Sequence, residues 1–174
     1  MKYLKTMFFA FAFILSSFLA ISNPAVTEGI KVGNKAPEIT ENSVNGKSLK
    51  LSSLEGKIVL IDFWASWCRP CRNENPSVVA AYQKYKDAKF KGGKGFTVFS
   101  VSLDKDLNKW KDAISTDKLT WENHVCNPQV NSDYLRIYEI RFIPTSFLID
   151  GKGVILAVNP RGEALEKMLA SLKK

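Results

Sequence analysis

The chain has 174 residues, 45% of them hydrophobic and 24% charged, a balance that excludes a disordered or fibrous polypeptide and suits one globular domain with a short appendage. Its formal charge of +8 is moderately basic; setting aside the two lysines of an N-terminal apolar segment leaves 23 basic residues against 17 acidic, or +6. Lysines gather at Lys84, Lys86, Lys89, Lys91 and Lys94, but no aromatic stacking pattern accompanies them, so the run reads as a solvated helix end and loop rather than a nucleic-acid surface.

Lys2 and Lys5 precede an apolar run from Met7 to Ala20, broken only by Ser16 and Ser17. A charged start followed by an apolar stretch too short for a comfortable span reads as a signal peptide. Small residues at Ala20 and Ser22 put the cleavage after Ser22; an uncleaved anchor is the alternative. No cysteine follows the run to carry a lipid. Residues 1–22 are thus expected as a leader, 23–35 as a flexible polar arm and 36–174 as the domain.

The domain opens with Glu38-Ile39-Thr40, the turn signal Val44-Asn45-Gly46 and Ser48-Leu49-Lys50-Leu51, which together predict a hairpin. Lys57 to Trp64 is a nearly continuous β-branched and aromatic run, the pattern of a central strand covered on both faces. Cys68 to about Tyr85 follows as a helix whose apolar stripe is Val78, Val79, Tyr82 and Tyr85. Phe96 to Ser102 is the next strand, and Leu107, Trp110 and Ile114 mark a helix from Asp106. A short extended piece covers Trp121 to Val125, and Ser132 to Tyr138 suits a brief helix with Ser132 as N-cap. Ser146–Ile149 and Val154–Val158 flank Asp150-Gly151-Lys152-Gly153 as an antiparallel pair, and Gly162 to Leu172 closes the chain as a helix. This order implies an α/β fold with a mixed central sheet and helices on both faces.

Chemistry concentrates in Trp67-Cys68-Arg69-Pro70-Cys71. A disulfide closing so short a loop removes little chain entropy, so stapling is a weak reason for the spacing. At a helix start, cysteines three apart lie on one face within disulfide reach. Cys68 occupies the cap position, where orphan N–H groups, the helix dipole and adjacent Arg69 favour its thiolate, while Cys71 sits deeper as the resolving thiol. Pro70 falls in the first turn, where its missing N–H costs nothing. Cys126 is a lone third cysteine near His124, the single histidine, and reads as a buried small hydrophobe; intermolecular pairing or a redox side role are its alternatives.

The stretch Val59 to Cys71 resembles the active-site strand and helix start of the thioredoxin superfamily. Pro76 matches the family's helix-kinking proline, and Arg141-Phe142-Ile143-Pro144-Thr145 matches the loop bearing its cis-proline. With the leader, the extra N-terminal hairpin and an insert between about Lys105 and Ile140, the chain is most similar to the exported TlpA-like and ResA-like reductases. That resemblance implies a thioredoxin fold with an N-terminal β-hairpin extension and a central insert. It also implies a redox-active Cys68–Cys71 disulfide, catalytic roles for Cys68, Cys71, Asp62 and Glu74, and a substrate-binding rim of Trp67, Ile143 and Pro144. Ile143 would offer its backbone to an extended substrate segment beside Cys68. Trp64 reads as core. Asp62 matches the buried aspartate of cytoplasmic thioredoxins and Glu74 an acid common in the exported group, so both are candidates for the resolving proton, with Asp62 preferred on burial.

The function expected is reduction of disulfides in exported proteins, without a cofactor or metal, in the periplasm or another extracytoplasmic compartment, and with a membrane thiol carrier as electron donor. Two other readings compete with this one. A metal module, such as an exported copper carrier, would use Cys68, Cys71 and His124 or Cys126, but Arg69 opposes a cation there. A peroxiredoxin-like peroxidase would need a Pro-x-x-x-Thr/Ser-x-x-Cys frame, and no proline stands between Asp62 and Trp67.

Overall fold

The computed structural model describes residues 26–174, so the expected leader and the start of the arm lie outside the described residues. In chain order the elements are β1 (Thr40–Asn42), β2 (Ser48–Lys50), a 3₁₀ turn at Leu51–Leu54, β3 (Ile58–Trp64), α1 (Arg69–Tyr85), β4 (Lys89–Phe90), β5 (Gly93–Lys94), β6 (Phe96–Ser102), α2 (Leu107–Thr116), β7 (His124–Cys126), α3 (Asp133–Ile137), β8 (Thr145–Ile149), β9 (Ile155–Val158) and α4 (Glu163–Leu172).

The apolar run Ile58–Trp64 is buried at every position because it has a strand on each side and a layer on each face. It runs parallel to β6, Ile58 opposite Phe96 through Trp64 opposite Ser102, and antiparallel to β8, Val59 opposite Ile149 through Phe63 opposite Thr145. The five-stranded sheet has the order β7-β6-β3-β8-β9. The period-2 alternation of the strand then sorts its side chains. Ile58, Leu60 and Trp64 join Val78, Ala81 and Tyr85 of α1, Trp110 of α2 and Leu165 and Leu169 of α4. Val59, Ile61 and Phe63 join Ile39, Leu51 and Leu54 of the N-terminal segment and Tyr134 and Tyr138 at α3. Tyr138 packs its ring 5.3 Å from Phe63 and 5.2 Å from Phe147, in tilted and edge-on arrangements that aromatic quadrupoles favour. This is the thioredoxin-like α/β fold expected, with its mixed sheet and N-terminal hairpin.

Four details differ from the sequence reading. The arm is tied down from Glu28: the N–H of Gly29 donates to Lys35, that of Gly33 to Ile155 and that of Ala36 to Gly153. Tertiary backbone pairing supplies partners that polar composition cannot announce. The lysine run is not a plain loop, since β4 and β5 form a small ribbon to which the chain end bonds, Lys91 N–H to Leu172 and Lys174 N–H to Lys89. Gly93 is needed there, because a Cβ would stand 3.0 Å from the Gly56 carbonyl oxygen. The lysine side chains of the ribbon, Lys89, Lys91 and Lys94, remain exposed. Strand β7 is shifted toward Cys126 relative to the expected Trp121–Val125. Finally, Ser132 stands at the N-cap of α3 without capping it; its hydroxyl donates to Glu41 Oε2 at 2.9 Å instead.

Candidate active site

The site begins where β3 runs out. Ala65-Ser66-Trp67 turns the chain into α1, and Asp104, buried just past β6, holds that turn. Its carboxylate accepts from the Ser66 N–H at 2.8 Å, the Ser66 hydroxyl at 2.6 Å and the Ser102 hydroxyl at 2.7 Å. From the other side Arg72 forks onto Asp117, the residue that ends α2, and donates to the Ser66 carbonyl at 3.1 Å; Asn75 adds a bond to Asp117 at 2.6 Å. Such a two-sided clamp fixes a loop more firmly than an exposed pair would.

Cys68 is the N-cap of α1, in extended backbone conformation, and its sulfur accepts the Cys71 N–H at 3.2 Å. Cys68 and Cys71 are joined in a disulfide with Cα atoms 5.3 Å apart, and both residues are buried. Pro70 is in the first turn, where no N–H is missed, and Pro76 lies inside the helix, removing the N–H that the Arg72 carbonyl would otherwise receive.

Asp62 lies on the α1-facing side of β3, between Ser100 of β6 and Ser146 of β8 in register. Burial, reinforced by the negative charge of Glu74 and opposed by Arg161, pushes its carboxyl up to about 7. Glu74, half-buried on α1, is also raised by burial and is pulled back by Arg161, whose Nε stands 3.5 Å from its Oε2. The same guanidinium donates through Nη2 to the carbonyl of Pro144.

The Ile143–Pro144 peptide bond is cis, in the loop immediately before β8. Because Thr145 pairs with Phe63, this loop abuts the end of β3 from which the Cys68 turn departs. Pro144 is buried and Ile143 half-buried, packed against both core clusters, whereas Trp67 and Phe142 are each 65% exposed. Trp64 is core.

Cys126 is a buried free thiol that donates to the Asp104 carbonyl at 3.2 Å, and burial raises it to about 11. His124 is buried, its Nε2 3.1 Å from the Leu119 carbonyl and its ring stacked on Trp121 at 5.4 Å; burial lowers it to about 4. Asp104, Arg72, Asp117, Phe142 and Arg161 were not identified from the sequence. Only Phe142, an aromatic beside the proline loop, carries a local signal.

Comparison with known proteins decides the lineage, since the AhpC/TSA family profile matches residues 32–158. The chain belongs to the AhpC/TSA family. Within it, the chain is 32% identical over 127 residues to the thioredoxin-like protein YneN of Bacillus subtilis, covering 73% of this chain and 70% of that one. It is 27% identical over 147 residues to the thiol–disulfide oxidoreductase ResA of Bacillus thuringiensis, covering 84% and 80%. The thioredoxin domain of a thiol–disulfide oxidoreductase from Bacteroides vulgatus superposes with a TM-score of 0.75 at 35% identity, over 84% of this chain and 100% of that one. With a Cys68–Cys71 disulfide at the helix start of the shared fold, this AhpC/TSA member is a thiol–disulfide oxidoreductase.

Proposed function

We propose that the chain reduces disulfides of exported proteins, with Cys68 as the attacking thiol and Cys71 as the resolving one. The observation that carries this reading is the cap: Cys68 sulfur receives the Cys71 N–H at the positive end of α1, a setting that favours the thiolate. Cys68 thiolate attacks a substrate disulfide, expels one substrate thiolate and forms a mixed disulfide. Cys71 passes its proton to Asp62 and attacks the Cys68 sulfur, releasing the second substrate thiolate. The substrate gains two electrons and the dithiol loses them, becoming the Cys68–Cys71 disulfide. A membrane dithiol donor restores the dithiol by the same exchange.

Trp67, Ile143 and Pro144 form the substrate rim in this reading, with Phe142 added. Residues 1–22 act as the leader that directs the chain out of the cytoplasm, and 36–174 as the catalytic domain. The experiment is mixed-disulfide trapping. Cys71→Ser should retain substrate covalently on Cys68, and Cys68→Ser should retain none. Equal trapping by both variants would reverse or erase the assignment, and a measured reduction potential near about −270 mV supports a reductase whereas one near about −120 mV supports an oxidant.

A further inference from the structure

We propose that Arg161 is a positioning residue that locks the substrate loop to the proton-handling side of the active site, an inference that rests on the Asp62 and Glu74 reading above. Its guanidinium joins two parts of the chain that nothing else in its segment connects. One nitrogen faces Glu74 on α1 at 3.5 Å, one turn past Cys71, and another donates to the carbonyl of Pro144, next to the Ile143 backbone that would receive substrate. A planar fork can hold two acceptors in fixed relation, which a flexible ammonium cannot.

The backbone that delivers Arg161 is itself fixed. Asn159 and Gly162, on either side of the Pro160-Arg161 pair, adopt φ of +52° and +48°, conformations that side-chain-bearing residues seldom take. Asn159 is held to the start of strand β8 by two bonds: its N–H donates to the Ser146 carbonyl at 2.7 Å and its Oδ1 accepts the Ser146 N–H at 2.9 Å. Pro160 is buried. The bend between β9 and α4 is therefore anchored to the same strand that the Ile143–Pro144 loop leads into, and Arg161 reaches from it across to α1.

The charged groups facing this point are Asp62 from β3, Glu74 from α1 and Arg161 from the β9–α4 bend, while β8 contributes the neutral Ser146. A cation here keeps a larger share of both carboxyls ionised near neutral pH, ready to accept the Cys71 proton. Arg161 thus serves two tasks, one geometric and one electrostatic, and they separate by substitution.

Arg161→Met and Arg161→Lys are compared with wild type for the KM of a disulfide peptide and for mixed-disulfide decay at pH 6 and pH 9. Arg161→Met should raise KM about three- to tenfold and slow decay about threefold or more at pH 6, rejoining wild type at pH 9 where the carboxyls are ionised without help. Arg161→Lys should recover the pH 6 decay while KM stays raised. Wild-type KM together with a wild-type pH profile in Arg161→Met overturns the proposal, as does full recovery of KM by lysine. Asp62→Asn and Glu74→Gln run in parallel isolate the underlying reading. If neither alters decay at pH 6, the carboxylate assignment is wrong, and the KM of Arg161→Met still decides the clamp.

Discussion

Replacing Asp62 by asparagine should make the protein more stable, and by an amount that grows with pH. Burial and the nearby Glu74 raise the carboxyl from 3.8 to about 7. At about 1.36 kcal/mol per pKa unit, that gap sets a ceiling of roughly 4 kcal/mol against the ionised form in the folded state. The folded-state value lies above the unfolded one, so this contribution to stability is complete below pH 4 and is lost as pH climbs through 7. Between pH 5 and pH 8 the wild type should lose roughly 2–3 kcal/mol through this one group, and Asp62→Asn should not. Urea unfolding of the oxidised protein at the two pH values measures it, because the closed disulfide removes redox change from the comparison. The variant's advantage should widen by roughly 2–3 kcal/mol from pH 5 to pH 8. If the two proteins keep a constant difference across that range, Asp62 is not a buried group titrating near neutrality, and its role as proton acceptor falls with it.

In rapid-mixing experiments near pH 7, Asp62→Asn should slow mixed-disulfide decay more than Glu74→Gln, because Glu74 is less deeply buried than Asp62 and is paired with Arg161; the opposite order would give the proton to Glu74. Cys126→Ser should change insulin disulfide reduction by less than about twofold, since a thiol raised to about 11 supplies little thiolate at neutral pH; a severe loss would make that cysteine part of the chemistry. N-terminal sequencing of protein exported by a bacterial host should begin near Asn23, and an intact Met1 in the membrane fraction would replace cleavage by anchoring.

What the sequence disclosed follows from how local each signal is. Strand β3 was legible because a strand buried on both faces must be apolar throughout, and α1 because Cys68, Pro70 and the Val78–Tyr85 stripe each mark a helix independently. The cysteine pair was legible because its chemistry requires close spacing. The β4–β5 ribbon was not, since it exists through contacts with Gly56 and with the chain terminus rather than through its own pattern. Nor were the clamps around the cysteines. Asp104 lies 38 residues from Ser66 and Asp117 lies 45 from Arg72, and no period or turn motif connects residues so far apart. Arg161 reads in sequence as one more surface cation before a glycine; only its two partners distinguish it.

These long-range polar contacts share one level of the sheet, and that level explains how the fold tolerates them. Ser100, Asp62 and Ser146 stand abreast on three neighbouring strands, and directly paired residues project to the same face. Just beyond them, at the ends of β3 and β6, come Ser102, Asp104 and the turn that delivers Cys68. Below this level, from Ile58 to Ile61, the central strand is wholly apolar. A carboxylate among the apolar residues of that lower half would carry the full desolvation cost with no compensating group. At the upper level Arg161 offsets part of the charge while Glu74 adds to the cost, so the ionised form stays disfavoured. What remains is the raised proton affinity of Asp62, the property that the proposed proton transfer from Cys71 would use. If Asp62 takes that proton, stability and reactivity draw on the same few residues, and removing the charge should strengthen the fold while slowing the chemistry.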